Sequence, residues 1–252
     1  MNLVELKKEW QQEEHKVFSG WDFSYLENRT EEDELPWSYE QLIRDHLSEN
    51  QQLLDMGTGG GEFLLKLGHP YDCTSVTEAY SPNYELCKKR LGSLGVNVKY
   101  VEDDSHLPFE NDTFDIIINR HEAFDLDEVK RILKSGGIFI TQQVGEYNNI
   151  DLTRYVHNNP ELEYEFDNHF DKHLLKAKTI GLDVIQHNES FPMLRFYDVG
   201  ALVYFAKIIE WEFSGFSVEE HFDQLLNLHE KIQSGEYIES KEHRYLIVAQ
   251  KK

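Results

Sequence analysis

The sequence predicts an α/β fold built on a doubly wound, mostly parallel sheet, and three observations carry that prediction. Residues 52–55 are a short apolar run, residues 57–61 read Gly-Thr-Gly-Gly-Gly, and residues 62–67 open an apolar-faced helix, so this stretch is a strand, a tight turn and a helix. Further short apolar runs follow at 73–78 and 96–101, separated by helical stretches. Residues 114–119, Phe-Asp-Ile-Ile-Ile-Asn, are the continuous apolar run expected of a strand covered on both faces. A chain of 252 residues suffices for one well-cored domain with an insertion and is short for two independent ones. One body, 1–252, is therefore expected.

The glycine turn is read as a floor for a ligand. A sharp reversal there needs positive φ, and a Cβ would hold a ligand away from the backbone. A dinucleotide site favours Gly-x-Gly-x-x-Gly, but Gly57, Gly59 and Gly61 keep a Gly-x-Gly-x-Gly rhythm, and Glu62 stands where the third glycine of that pattern belongs. A carboxylate at that place would oppose a pyrophosphate. The second strand, 73–78, ends in Glu78, 21 residues after Gly57, the spacing at which doubly wound folds hold ribose hydroxyls with an acid. Ser81 and Pro82 then read as N-cap and first residue of a helix to about Leu94. The third strand, 96–101, leads into Glu-Asp-Asp-Ser-His-Leu-Pro-Phe at 102–109. The strand at 114–119 delivers Asn119, Arg120 and His121 to its carboxyl end. A helix from Asp127 to Leu133 and a Lys-Ser-Gly-Gly cap precede a fifth strand, 138–144.

With Asp55 two residues before Gly57, the segment 51–145 resembles the class I S-adenosylmethionine-dependent methyltransferases, whose first motif is acidic-x-Gly-x-Gly-x-Gly. The resemblance implies a Rossmann-like sheet of seven strands, mostly parallel, with the last strand antiparallel and lying between the fifth and sixth. It implies S-adenosyl-L-methionine as cofactor, held by Asp55, Gly57, Thr58, Gly59, Gly61, Glu78, Ala79, Asp104, Ser105 and Asn119. Asp104 and Ser105 are assigned to the adenine by register, with Asp103 as the neighbouring alternative. His121 is the candidate general base. Trp37, Tyr39 and Glu146 are expected on the substrate side, and no metal is expected.

Outside that segment, residues 1–50 are rich in aromatics and acids, including Trp10, Trp21, Phe23, Tyr25, Trp37 and Tyr39, and are expected to form an N-terminal helical cap or lid. Ser38, with Gln41 three residues on, reads as the N-cap of a helix from Tyr39 to Leu47. Residues 146–252 are read as the substrate-side half. They begin with a polar loop at 145–160 and an acidic stretch at 161–171, followed by a helix to about Ile180. A sixth strand is expected at 182–195, a helical insertion at 197–240 and the last strand at 243–250. The insertion is expected to hold one helix at 199–211 and another starting at Ser217 with Glu220 as its capping partner. His169 and His173 share a helix face but lack a third ligand and read as surface residues. Cys73 and Cys87 fit neither a disulfide framework nor a zinc site.

Charge and chemistry narrow the function. A formal net charge of −22 argues against a broad nucleic-acid footprint, which needs clustered Lys and Arg. The charged N-terminus and the absence of a long apolar run argue against a signal peptide or membrane span, so a cytoplasmic protein is expected. Methyl transfer from a sulfonium is an in-line displacement that needs alignment and sometimes a base. The Asn/Asp-Pro-Pro-Tyr motif that holds a flipped base is absent, residues 119–124 reading Asn-Arg-His-Glu-Ala-Phe. The expected function is methyl transfer to O, N or C of a small molecule, by a monomer or weak homodimer, with nucleic acid and membrane not expected as partners. The alternatives are an rRNA or tRNA base methyltransferase and a non-catalytic S-adenosylmethionine-binding protein; a nicotinamide oxidoreductase is disfavoured by Glu62.

Overall fold

A computed structural model describes residues 2–18, 23–163 and 168–252. Trp21 and residues 164–167 of the acidic stretch lie outside them. In chain order the elements are α1 (Leu3–Glu14), β1 (Thr30–Glu32), α2 (Tyr39–His46), β2 (Leu53–Met56), α3 (Glu62–Leu67), β3 (Thr74–Glu78), α4 (Ser81–Arg90), β4 (Asn97–Tyr100), β5 (Phe114–Arg120), α5 (Leu126–Ile132) and β6 (Leu133–Val144). They continue with α6 (Ile150–Val156), α7 (Phe170–Thr179), β7 (Leu182–Ser190), β8 (Met193–Phe196), α8 (Val199–Ile208), α9 (Phe222–Gln233), β9 (Ile238–Lys241) and β10 (Arg244–Lys251).

The contacts group the chain into two compact units. The sheet unit comprises Pro36–Gly145, Asn168–Ser190 and Arg244–Lys252. Its seven strands run in the order β4-β3-β2-β5-β6-β10-β7. β2 pairs parallel with β3 and β5, β5 pairs parallel with β6, and β10 lies antiparallel between β6 and β7. This is the expected seven-stranded, mostly parallel sheet with the antiparallel last strand inside it. Alternate residues enter separate cores: Leu54, Met56, Ile117 and Phe139 pack on one side, and Leu53, Ile116, Ile118 and Ile140 on the other. Burial of both faces is why these strands read as unbroken apolar runs. Strand order reverses between β2 and β5, and their carboxyl ends flank the crevice where open α/β sheets bind ligands.

The helical unit comprises Met1–Leu35, Glu146–Asp167 and Phe191–His243. A small antiparallel sheet in the order β1-β8-β9 is joined there by α1, α6, α8 and α9 around one core that includes Leu6, Trp10, Phe196, Leu202 and Leu225. Trp10 packs against Phe222, and the Arg29 guanidinium holds both carboxylate oxygens of Asp198, which caps α8.

Several local expectations are corrected. The sixth strand is two strands: β7 ends at Ser190, Pro192 has no N–H for a ladder, and β8 pairs instead with β1 and β9. The stretch 145–160 is not all loop, because Leu152, Thr153 and Val156 bury one face of α6. Ser81 is the first helical residue of α4 and Tyr80 its N-cap. Ser217 accepts the N–H of Glu220 as expected, but in a turn before α9, which starts at Phe222. The cap at 134–137 is a bulge within β6, with Phe114 facing Leu133 and Ile116 facing Ile138. The Ser38 cap of α2 holds, its Oγ accepting the N–H of Gln41 at 3.2 Å.

Candidate active site

The glycine loop leaves β2 with its backbone donors turned inward. The N–H groups of Gly57 and Thr58 donate to the Thr77 carbonyl at 3.1 and 3.2 Å, that of Gly59 to Glu78 Oε2 at 2.9 Å, and that of Gly61 to the Thr58 carbonyl at 3.0 Å. Its carbonyls are held too: the Cys87 thiol donates to Gly59 O and the Arg90 guanidinium to Gly60 O. Burial pushes the Cys87 thiol up to about 12, ahead of the negative charges of Glu78, Glu62 and Asp55, so it stays a protonated donor. A pyrophosphate loop must aim several N–H groups outward. Four of these five residues donate inside the protein, and α3, with Glu62 in its first turn, is six residues long. The loop is therefore a rigid floor with few donors to offer an anion.

Carboxylates ring that floor. Asp55 is buried at the end of β2 and accepts the Thr58 hydroxyl at 2.7 Å; burial lifts it to about 6 against the opposing pull of Thr58 and Arg120. Glu78 is buried at the end of β3, with Oε2 on Gly59 N–H and Oε1 on Tyr80 N–H at 3.0 Å. Burial still raises it above the usual carboxylate range. The exposed Ala79 sits between these contacts. Beyond β4, Asp103 Oδ1 accepts both the N–H and the hydroxyl of Ser105, at 2.9 and 2.6 Å, and so builds the turn. Asp104 has no hydrogen-bond partner among the described residues and rises to about 6 through burial and then the charges of Asp103 and Asp125. Of the two candidates for the adenine, Asp104 is the one with its acceptors to spare.

The end of β5 is a tied turn. Asn119 is fully buried, and its Oδ1 accepts from the Thr141 hydroxyl at 3.0 Å and from Gln143 Nε2. Its Nδ2 donates to the Ala123 carbonyl at 3.3 Å, so the Asn119 side chain ties the turn that follows β5. Gln143 Nε2 also donates to the Glu122 carbonyl at 3.0 Å, and the N–H of His121 donates to Gln142 O at 2.9 Å. Within this turn His121 has φ +59°, a left-handed conformation unusual for a side chain of its size. Its Nε2 lies 3.3 Å from Gln142 Nε2, and Gln142 Oε1 accepts from Trp37 Nε1 at 2.8 Å. Desolvation, then the positive charges of Arg244 and Arg120, push this imidazole well below its usual range, and its Nε2 faces the Gln142 amide donor.

Two neighbours, Arg120 and Glu122, were given no role from the sequence. The Arg120 guanidinium stands 4.7 Å from the Phe63 ring centroid and 6.0 Å from that of Tyr39. Tyr39, buried beside Asp55 and the Asn119 backbone, is pushed well above its usual range, chiefly by burial, and keeps its proton. Glu122 packs onto Gly57 and rises to about 7 through burial and then the charge of Asp104. An acid two residues beyond the carboxyl end of a central strand was the available signal. Glu146, expected on the substrate side, belongs to the helical unit, in the segment whose Asn148 and Asn149 amides both donate to Glu212 at 2.7 Å.

Comparison with known proteins bears on the same segment. Residues 54–141 match the methyltransferase domain family. YodH of Bacillus subtilis, described as an uncharacterized methyltransferase, is 29% identical over 100 residues, covering 37% of this chain and 43% of that protein. The phthiotriol/phenolphthiotriol dimycocerosates methyltransferase of Mycobacterium tuberculosis is 33% identical over 89 residues, 32% of each chain. The match thus spans less than half the length of either relative. Among solved structures, the YcgJ protein of Bacillus subtilis superposes with a TM-score of 0.56 at 19% identity, covering 85% of this chain and 97% of that one. The geranyl diphosphate C-methyltransferase of Streptomyces coelicolor, solved with S-adenosyl-L-homocysteine, gives 0.50 at 16% identity, covering 84% and 78%.

Proposed function

We infer, from the match of residues 54–141 to the methyltransferase domain family, that this protein is an S-adenosyl-L-methionine-dependent enzyme that methylates O, N or C of a small molecule. The observation that carries the cofactor reading is the floor at the end of β2. Its N–H groups are engaged internally, and Asp55, Glu78, Asp104 and Glu122, all raised in pKa, stand around it. Burial is the largest cause of each rise, and buried carboxyl groups gathered at a sheet's carboxyl edge mark a candidate functional site. That donor set suits a sulfonium and opposes a pyrophosphate.

When bound, the cofactor would supply a methyl group already activated by positive charge. Glu78, which also accepts from the Gly59, Ala79 and Tyr80 N–H groups and from Asn83, is the acid placed for the ribose diol, and Asp104 can accept from the adenine amine. Asn119 and Gln143 fix the turn that presents His121 and Glu122. His121 is the candidate for the proton that an O or N acceptor loses as it is methylated, and to take it His121 Nε2 must exchange the Gln142 Nε2 donor for that proton. Trp37 in turn steadies Gln142. The small-molecule reading is supported by the net charge of −22 and by the geranyl diphosphate substrate of one structural neighbour. Among the described residues no helix is long and apolar enough to cross a membrane.

The test is incorporation of tritiated methyl groups into separated small-molecule, RNA and protein fractions of a cell extract, using the wild type and Gly59→Val. Label in the small-molecule fraction that the variant fails to produce supports the reading. Label confined to RNA moves the acceptor to a nucleic-acid base. No label, with S-adenosylmethionine still bound, makes the domain a cofactor-binding module.

A further inference from the structure

We propose that Glu122 is the counter-charge for the cationic methionine half of the cofactor, seated against the glycine loop by the left-handed turn that follows β5. This rests on the cofactor reading above and goes beyond it by assigning a residue to the charged end.

The geometry is specific. A methyl group built on Gly57 would stand 2.3 Å from Glu122 Cγ, 2.6 Å from its Cβ and 2.6 Å from Oε2. Glycine at 57 therefore admits a carboxylate side chain onto the floor itself. Contact with Cβ means that a change of rotamer cannot clear the clash, so the position of the turn is what puts Glu122 there. The turn is tied at four places: His121 N–H to Gln142 O, Asn119 Nδ2 to Ala123 O, Gln143 Nε2 to Glu122 O, and Asn119 Oδ1 to the Thr141 hydroxyl.

The carboxylate is also unbalanced. Its one hydrogen bond is from Ala123 N–H to Oε1 at 3.3 Å, and no Lys, Arg or His pairs with it among the described residues. The charges that act on it are those of Asp104 and Glu78, both negative. Holding a half-buried carboxylate beside two others without a partner is unfavourable unless something positive shares the space. Two groups on the methionine half offer that charge, the sulfonium and the α-ammonium. Either would draw the proton off Glu122, which near neutrality is about half protonated.

Calorimetric titration of the whole chain separates these cases, with three probes: S-adenosylmethionine carries both cations, S-adenosylhomocysteine only the ammonium, and methylthioadenosine neither. Wild type is expected to release a fraction of a proton on binding S-adenosylmethionine at pH 7, read from heats in two buffers of different ionisation enthalpy. Glu122→Gln is expected to lose that release and to bind S-adenosylmethionine about tenfold or more weakly, while methylthioadenosine binds as before and shows that the site is folded. Loss confined to S-adenosylmethionine assigns the sulfonium; loss shared with S-adenosylhomocysteine assigns the ammonium. Glu122→Asp, which keeps the charge on a shorter arm, should fall between. Unchanged affinity and proton release in Glu122→Gln, or equal weakening of all three probes, overturns the proposal. If wild type binds none of them, the cofactor reading itself is wrong.

Discussion

Gly57 and Gly59 have nearly the same backbone conformation, φ +67° and +61°, but different surroundings, and this lets strain and packing be measured apart. Alanine at either position must adopt a left-handed conformation, at about 1–2 kcal/mol. At Gly59 nothing lies within 4 Å of the new methyl, so that is the whole cost. At Gly57 the methyl also meets Glu122 at 2.3–2.6 Å, Cβ included, so the tied turn must move. Overpacking of this kind adds roughly 1–3 kcal/mol. For a chain of this size each kcal/mol lowers the melting temperature by about 2–4 °C. Gly57→Ala should therefore melt roughly 2–12 °C below Gly59→Ala. In the double variant Gly57→Ala/Glu122→Ala the clash is gone, and the excess loss should disappear as a coupling term. Calorimetric scans of wild type, Gly57→Ala, Gly59→Ala, Glu122→Ala and the double variant at pH 8 provide the measurement. Equal melting temperatures for the two glycine variants, or an excess that survives removal of Glu122, would refute the packing argument.

The raised acid at Asp55 predicts a pH-dependent gain. Its folded pKa of about 6 lies above the model-peptide value, so its favourable contribution is complete below the unfolded pKa and is lost as pH rises through 6. Asp55→Asn should stabilise the ligand-free protein by about 2–3 kcal/mol above pH 7, with the advantage roughly halved near pH 5, as urea titrations at the two pH values would show. His121 titrates below its usual range, so kcat at saturating cofactor should stay flat as pH falls through 6.5, and His121→Ala should lower that plateau; an inflection at 6.5 counts against its role as base. In the helical unit, Glu212→Gln would turn an amide toward the donating amides of Asn148 and Asn149, and a loss of about 1–3 kcal/mol is expected in urea titration.

These predictions draw on two kinds of information that the sequence carries unequally. The floor was legible because its determinants are local. Glycines at 57, 59 and 61, an acid at 55 and an acid closing the next apolar run are all written within 27 residues, and each acts through its own stretch of backbone. The alternation of apolar runs with helices likewise exposed the sheet. The split of the sixth strand was less visible because β8 is held by β1 and β9, far along the chain, with Pro192 as the only local mark of the break.

The turn after β5 lies at the other extreme. Nothing between Asn119 and Phe124 specifies a left-handed histidine; that conformation is imposed by Gln142 and Gln143 at the end of β6, through bonds to His121 N–H and the Glu122 carbonyl. Read alone, Asn119 at a strand end resembles a ligand contact, and Glu122 an ordinary loop acid. With β6 beside them, the asparagine becomes the pin and the glutamate the group it aims. The buried residues Thr141, Gln142 and Gln143 at the end of an apolar strand are the trace this arrangement leaves in the sequence. Polar side chains there are unfavourable unless they bond to something. What they bond is the adjacent crossover turn, which explains how a residue beyond β5 comes to stand against Gly57.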